Sequence, residues 1–159
     1  MLEQKIESFI EETLTGDTKN NAIEFVVCLR SNEMLFERFI KDYWEDKLYW
    51  LVEYEGVSVC HILINGYEEG HWTIWSDESD SNSFEDFPLD EHLKEIAWKN
   101  VDFCGNCGYC TGGTHKTVFG KEFDNVCRTT MIFSNPNAET LEFMKKMVLI
   151  RKHDIIANI

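Results

Sequence analysis

The residue types best suited to chemistry in this chain are four cysteines in its C-terminal third. The stretch "FCGNCGYCTGG" places three cysteines at three-residue spacing, and a fourth follows after sixteen further residues. A C-x2-C turn lets two thiolates face one ion, and neighbouring glycines leave backbone amides able to donate hydrogen bonds to sulfur. Four thiolates complete a tetrahedron around zinc. The spacing therefore predicts a structural zinc site formed by Cys104, Cys107, Cys110 and Cys127.

Other metal and redox chemistries share part of this pattern. A 4Fe-4S cluster also takes three cysteines at x2 spacing and one distant cysteine, although Arg128 stands where ferredoxins have proline. The stretch "VDFCGNC" resembles a thioredoxin-like dithiol, but the glycines after Cys107 disfavour the helix that such a dithiol needs. His115 is an alternative fourth ligand. We predict zinc as the cofactor and keep a 4Fe-4S cluster as the alternative.

The remaining candidates favour packing over chemistry. Cys28 and Cys60 lie in apolar runs, which predicts small buried side chains, and His61 lies on an apolar strand face that is typical of a core histidine. No nucleophile–base pair or phosphate-binding glycine motif occurs, so we expect a non-enzymatic binding protein. An aromatic sheet face including Trp50 and Trp75 could instead serve a small-molecule sensor. Burial of that face against helices is the commoner arrangement and is our prediction.

The N-terminal half predicts helices followed by an antiparallel meander. "EQKIESFIEETL" and "NAIEFVVCLR" have apolar residues at helical spacing, and "EMLFERFIKDYW" favours a third helix. After these helices the spacing of apolar residues changes to every second residue, which is typical of strands. "KLYWLVEYEGVSVCHILINGY" alternates around Glu55-Gly56, which indicates a hairpin, and "HWTIWS" predicts a third strand.

The C-terminal half predicts a helix, a later strand and a final helix. "PLDEHLKEIAWKN" is helical in period and "VCRTTMIF" is strand-like. Asn135 is predicted to cap the last helix, with Pro136 in its first turn. This order predicts one α+β domain over residues 1–159, with a single antiparallel sheet packed against N- and C-terminal helices. The metal-binding cysteines would lie on a loop at 104–127.

Charge and composition limit the partners. The chain has 159 residues and a formal net charge of −14. Residues 1–100 hold 23 acidic against 8 basic side chains, whereas residues 101–159 hold 6 against 7. Acidity of this size repels a phosphate backbone, so nucleic acid is not an expected partner. No membrane-spanning run or secretory segment is evident, and we expect a cytoplasmic protein whose ligand is a metal ion.

Three stretches carry a resemblance to a known group of proteins. "CGNCGYC", "TVFGKEFDNVC" and "SNPNAETLEFMKKM" resemble a family of small uncharacterised proteins from clostridia and related anaerobic bacteria. The similarity runs from about Trp44 to Asp154. It implies a bacterial cytosolic protein with an α+β fold, in which the four cysteines are a shared feature. A more remote, fold-level likeness is to the YdhG-like group, with helices on an antiparallel sheet.

Overall fold

The architecture is α+β, with helices at both ends of the chain and one antiparallel sheet. The computed structural model describes residues 5–39, 48–66, 68–76, 83–105 and 112–159, and within them lie four helices and seven strands. The helices are α1 (Ile6–Thr13), α2 (Gly16–Ser31), α3 (Glu91–Lys99) and α4 (Ala138–Ala157). The strands are β1 (Leu35–Arg38), β2 (Leu48–Tyr54), β3 (Val57–Ile64), β4 (Trp72–Ser76), β5 (Val101–Phe103), β6 (Thr114–Val118) and β7 (Lys121–Ser134). The predicted fold class is confirmed.

The meander forms as its alternating pattern predicts. Strands β2 and β3 join through Glu55 and Gly56, both with positive φ, which is the backbone that a two-residue hairpin of matching twist requires. The register then aligns Trp50 with Ile62, and Ile62 with Ile74. Because side chains alternate along a strand, this row and its neighbours form one apolar face.

The helices cover that face and enclose the core. Helix α1 buries Ile6 and Ile10, and the Phe25 ring of α2 packs against Trp72 with ring centroids 5.8 Å apart. Helix α4 contributes Phe143, which contacts Phe119 and Phe133. No helix in the described part of the chain is long and apolar enough to cross a membrane.

Two local predictions were wrong. The stretch predicted as a third helix instead forms β1, because Phe36 and Arg38 face inward while Leu35 and Glu37 are exposed, and this alternation suits an edge strand beside β2. Residues 40–44 of that prediction lie outside the described residues. The last helix is capped by Asn137, whose side chain accepts from the Thr140 amide at 2.9 Å. Asn135 has a positive φ and precedes the cap.

Strand β7 joins the two halves of the sheet. The strand order is β1-β2-β3-β4-β7-β5, with β6 also paired to β7. Thr130 in β7 has a φ of 67°, which interrupts the ladder just where β4 ends at Ser76. The buried Ser76 hydroxyl fills the interruption, since it donates to the Thr129 carbonyl and accepts from the Met131 amide. This side chain continues the backbone pairing where the strand itself stops.

Arg151 ties helix α4 to the sheet and to the chain before α3. Its side chain is 5 % exposed and donates to the Ser58 carbonyl at 3.0 Å and to the Ser83 hydroxyl at 3.1 Å. Asp154 lies 3.4 Å from its guanidinium and accepts from Ser83. A buried cation with several polar partners leaves all of them unsatisfied when it is removed.

We predict that Arg151→Met lowers the free energy of unfolding by about 3 kcal/mol, because Met preserves volume but supplies no donor. Urea unfolding followed by circular dichroism measures the loss. Lys146→Met on the exposed side of the same helix is the matched control and should change stability by less than about 0.5 kcal/mol. An Arg151→Met loss as small as that of the control would contradict the assignment of Arg151 as a structural tie.

Candidate metal centre

Two of the four predicted ligands lie where β5 meets β7, with Cys104 directly after β5 and Cys127 within β7. Phe103 in β5 pairs with Val126 in β7, and the Cys104 amide donates to the Asn125 carbonyl at 2.8 Å. Asp102 hydrogen-bonds through its side chain to Cys127. The partner of the Cys104 amide, Asn125, is two residues before Cys127 on β7. The fold thus brings together two cysteines that are far apart in sequence.

The segment that carries the other two cysteines starts and ends at this place. Val126 pairs with Phe103 on one edge of β7 and with Thr114 on the other. Phe103 and Thr114 therefore lie on opposite edges of β7, about 10 Å apart for two strand spacings. Cys107 and Cys110 lie outside the described residues, so their predicted position as ligands stays a prediction.

Gly113, at the C-terminal end of the cysteine segment, packs closely against Asn125 and Cys104. A Cβ on Gly113 would come within 2.3 Å of the Asn125 Oδ1, 2.7 Å of the Asn125 carbonyl carbon and 2.8 Å of the Cys104 Cβ. Only glycine permits this contact, because one of the obstacles is backbone. The close approach places the C-terminal end of the cysteine segment directly beside its first cysteine.

Polar groups surround the Cys127 sulfur. The Thr129 hydroxyl donates to it at 3.5 Å, and the Asp102 carboxylate is its other neighbour. Partial burial raises the pKa of Asp102 above its ordinary value, and the hydrogen bond with the Cys127 thiol opposes that rise. Neither Asp102 nor Thr129 was predicted from the sequence. The available signal was the strand alternation, which places Asp102 two residues before Cys104 and Thr129 two residues after Cys127.

His115, the alternative fourth ligand, is engaged elsewhere. Its Nδ1 lies 2.7 Å from Asp124 and its Nε2 lies 3.4 Å from Glu122. Both nitrogens therefore face carboxylates of β7, and within the described residues neither has a cysteine as its partner. Hydrogen bonds to Asp124 and then to Glu122 raise the pKa of His115 above its ordinary value of 6.5. This arrangement favours Cys127 over His115 as the ligand that completes the site.

The two cysteines outside the predicted site, Cys28 and Cys60, have packing roles. Cys60 is fully buried in β3, and Cys28 is half-buried against the core, where burial raises the pKa of its thiol.

Among the described residues, no three His, Cys, Asp or Glu side chains converge into a metal site. A complete centre at Cys104 and Cys127 therefore needs ligands from outside the described residues, and Cys107 and Cys110 are the predicted ones. The predicted loop at 104–127 contains β6 and the first half of β7, so the ligand Cys127 belongs to a regular strand.

The tryptophans divide between the two sheet faces. Trp50 is only 2 % exposed beneath the helices and is core, as predicted, but the predicted face that joins it to Trp75 does not form. Trp75 lies on the opposite face with His61 and Tyr49, since it pairs with His61 in the register. His61 is buried, and its Nδ1 is 2.6 Å from the Tyr49 hydroxyl, in agreement with the prediction of a core histidine.

The contact at Gly113 yields a prediction with a matched control in the same segment. We expect Gly113→Ala to cost about 2 kcal/mol of unfolding free energy, because the new methyl group overlaps backbone at Asn125. Gly105→Ala, at the other end of the segment, meets nothing within 4 Å and should be nearly neutral. Thermal and urea unfolding compare the two variants. Equal stability of the two variants would show that Gly113 does not pack this closely against Asn125 and Cys104.

The His115 contacts yield a prediction about pH. A raised pKa in the folded state means that the stabilisation is fully present below pH 6.5 and is lost as pH rises through the folded pKa. Asp124→Asn should lower the pKa of His115, as measured by NMR of its ring protons. Glu139→Gln, beside His92, is the control and should leave the His115 titration unchanged. A His115 pKa that is unchanged by Asp124→Asn would refute the hydrogen bond between His115 and Asp124.

Comparison with protein-family models, with curated proteins and with solved structures gives no significant match to this chain. The resemblance to the clostridial family stays a prediction. Any statement about function therefore rests on the chain's own residues.

Proposed function

We propose that the chain is a non-enzymatic metal-binding protein in which Cys104, Cys107, Cys110 and Cys127 hold one structural zinc ion. The observation that supports this most is the meeting of β5 and β7, which brings Cys104 to Asn125, two residues before Cys127, and to Gly113 at the end of the segment with Cys107 and Cys110. Four thiolates would close the coordination sphere and leave no open position for catalysis.

The place where the metal would bind is the part of the sheet with the least apolar support. Strand β5 has three residues, and its register with β7 is irregular between Val101 and Phe103. Residues 121–125 of β7 are exposed except for the half-buried Phe123. A zinc ion that joins Cys104 to Cys127 would link the two strands there, so its binding free energy would become folding free energy.

The surroundings of Cys127 suit a thiolate. The Thr129 hydroxyl already donates toward its sulfur, which is the kind of outer hydrogen bond that orients and stabilises a metal-bound cysteine. Cys28, by contrast, has a raised thiol pKa through burial, so it resists the deprotonation that metal binding requires. The proposal therefore distinguishes the site cysteines from the core cysteines.

The test is metal analysis of anaerobically purified full-length protein. We expect about one zinc per chain, and a Ser substitution at Cys104, Cys107, Cys110 or Cys127 should reduce it several-fold. Cys28→Ser is the matched control, and His115→Ala should also keep the metal. Chelation should lower the unfolding temperature without abolishing helical circular dichroism, because the helix-covered core remains.

Iron with acid-labile sulfide and visible absorption would assign the 4Fe-4S alternative to the same four cysteines. Absence of both metals from protein purified and reconstituted anaerobically would refute the metal-binding proposal. Retention of zinc in Cys127→Ser together with its loss in His115→Ala would show that His115 is the fourth ligand.

A further inference from the structure

A cleft of about 620 Å³ lies between helix α3 and the β6–β7 hairpin, away from the helix-covered core. Its walls include an aromatic ring and charges of both signs, from Asp86, Lys94, Trp98, Lys121 and Glu122. The volume falls in the range of small-molecule sites. Its charged groups determine what kind of ligand it suits.

The Trp98 ring forms a fixed apolar wall. Its Nε1 donates to the Val118 carbonyl at 2.7 Å, which locks the indole against β6. The Lys121 Nζ lies 5.2 Å from the Trp98 ring centroid and 5.5 Å from that of Phe123. Attraction to the two rings holds the ammonium group in place before any ligand arrives.

Two of the four charged groups in the cleft already have partners. Lys94 lies 3.5 Å from Glu91 on its own helix, and Glu122 lies 3.4 Å from His115. These pairs account for one positive and one negative charge. The two charges that remain are those of Lys121 and Asp86.

Lys121 and Asp86 have no ion-pair partner in the described part of the chain, and they do not pair with each other, although both line the cleft. A ligand with an ammonium and a carboxylate group can satisfy both at once. A simple anion satisfies only Lys121, and the net charge of −14 opposes its approach. A zwitterion carries no net charge and meets no such repulsion.

We propose that this cleft binds a small zwitterion of the free amino-acid class. Its carboxylate pairs with Lys121, its ammonium group pairs with Asp86, and an apolar side chain packs on the Trp98 indole. No cysteine that the structure describes lines this cleft, so the amino-acid proposal can be tested independently of the metal proposal.

The test is calorimetric titration of the full-length protein with three matched probes. L-phenylalanine has both charges, 3-phenylpropionate lacks the ammonium group and phenethylamine lacks the carboxylate. We expect phenylalanine to bind about tenfold or more tightly than either analogue, since each analogue loses one charged hydrogen-bonding partner.

Two substitutions should each remove one half of this discrimination. Lys121→Met should weaken phenylalanine about tenfold and abolish its advantage over phenethylamine, whereas Asp86→Asn should abolish its advantage over 3-phenylpropionate. Lys99→Met, an exposed lysine in the last turn of the same helix α3, is the control and should leave all three affinities unchanged. Circular dichroism checks that each variant is folded.

Three outcomes would overturn the proposal. They are the absence of phenylalanine binding at about 10 mM ligand, equal binding of phenylalanine and 3-phenylpropionate by the unmodified chain, and affinities that do not respond to Lys121→Met or Asp86→Asn.

Discussion

The pairing of strand β7 with three other strands is the constraint on which the rest of the structure depends. Its C-terminal part completes the meander through β4, and its N-terminal part holds β5 on one edge and β6 on the other. The Ser76 hydroxyl bridges the backbone interruption at Thr130 between these parts. Because one continuous strand serves both halves, residues of the cysteine region occupy positions fixed by the helix-covered core.

The two halves differ in how they are stabilised. The meander and its helices bury a continuous apolar cluster, which stabilises them by removing surface from water. The β5–β6 end retains Val118 and Val126 inside but exposes most of the β7 start. Such a region opens at lower free-energy cost than the core. A metal ion or a bound ligand therefore has more to add here than in the helix-covered core.

The sequence pattern was sufficient to predict helices and strands where local periodicity and burial agree. The strand alternation around Glu55-Gly56 and the helical period of α3 both matched the structure. It was insufficient for β1, where Met34, Leu35 and Phe39 fit a helix as well as an edge strand, and only pairing with β2 decides. It also missed β5 and β6, because three- and five-residue strands carry too few alternations to detect.

The same limit separates the two candidate sites. Cysteine is rare and its spacing is a direct sequence signal for metal binding, so the proposed ligands could be named before any fold was known. The cleft had no such signal, since Asp86 and Lys121 are common surface residues 35 positions apart in the sequence. Their relation appears only after backbone hydrogen bonds join Phe84 to Phe119 and Glu85 to Gly120, which places the chain before α3 beside the β6–β7 turn. Ligand chemistry that depends on unpaired charges requires the folded partners to be known, because only then can the paired charges be set aside.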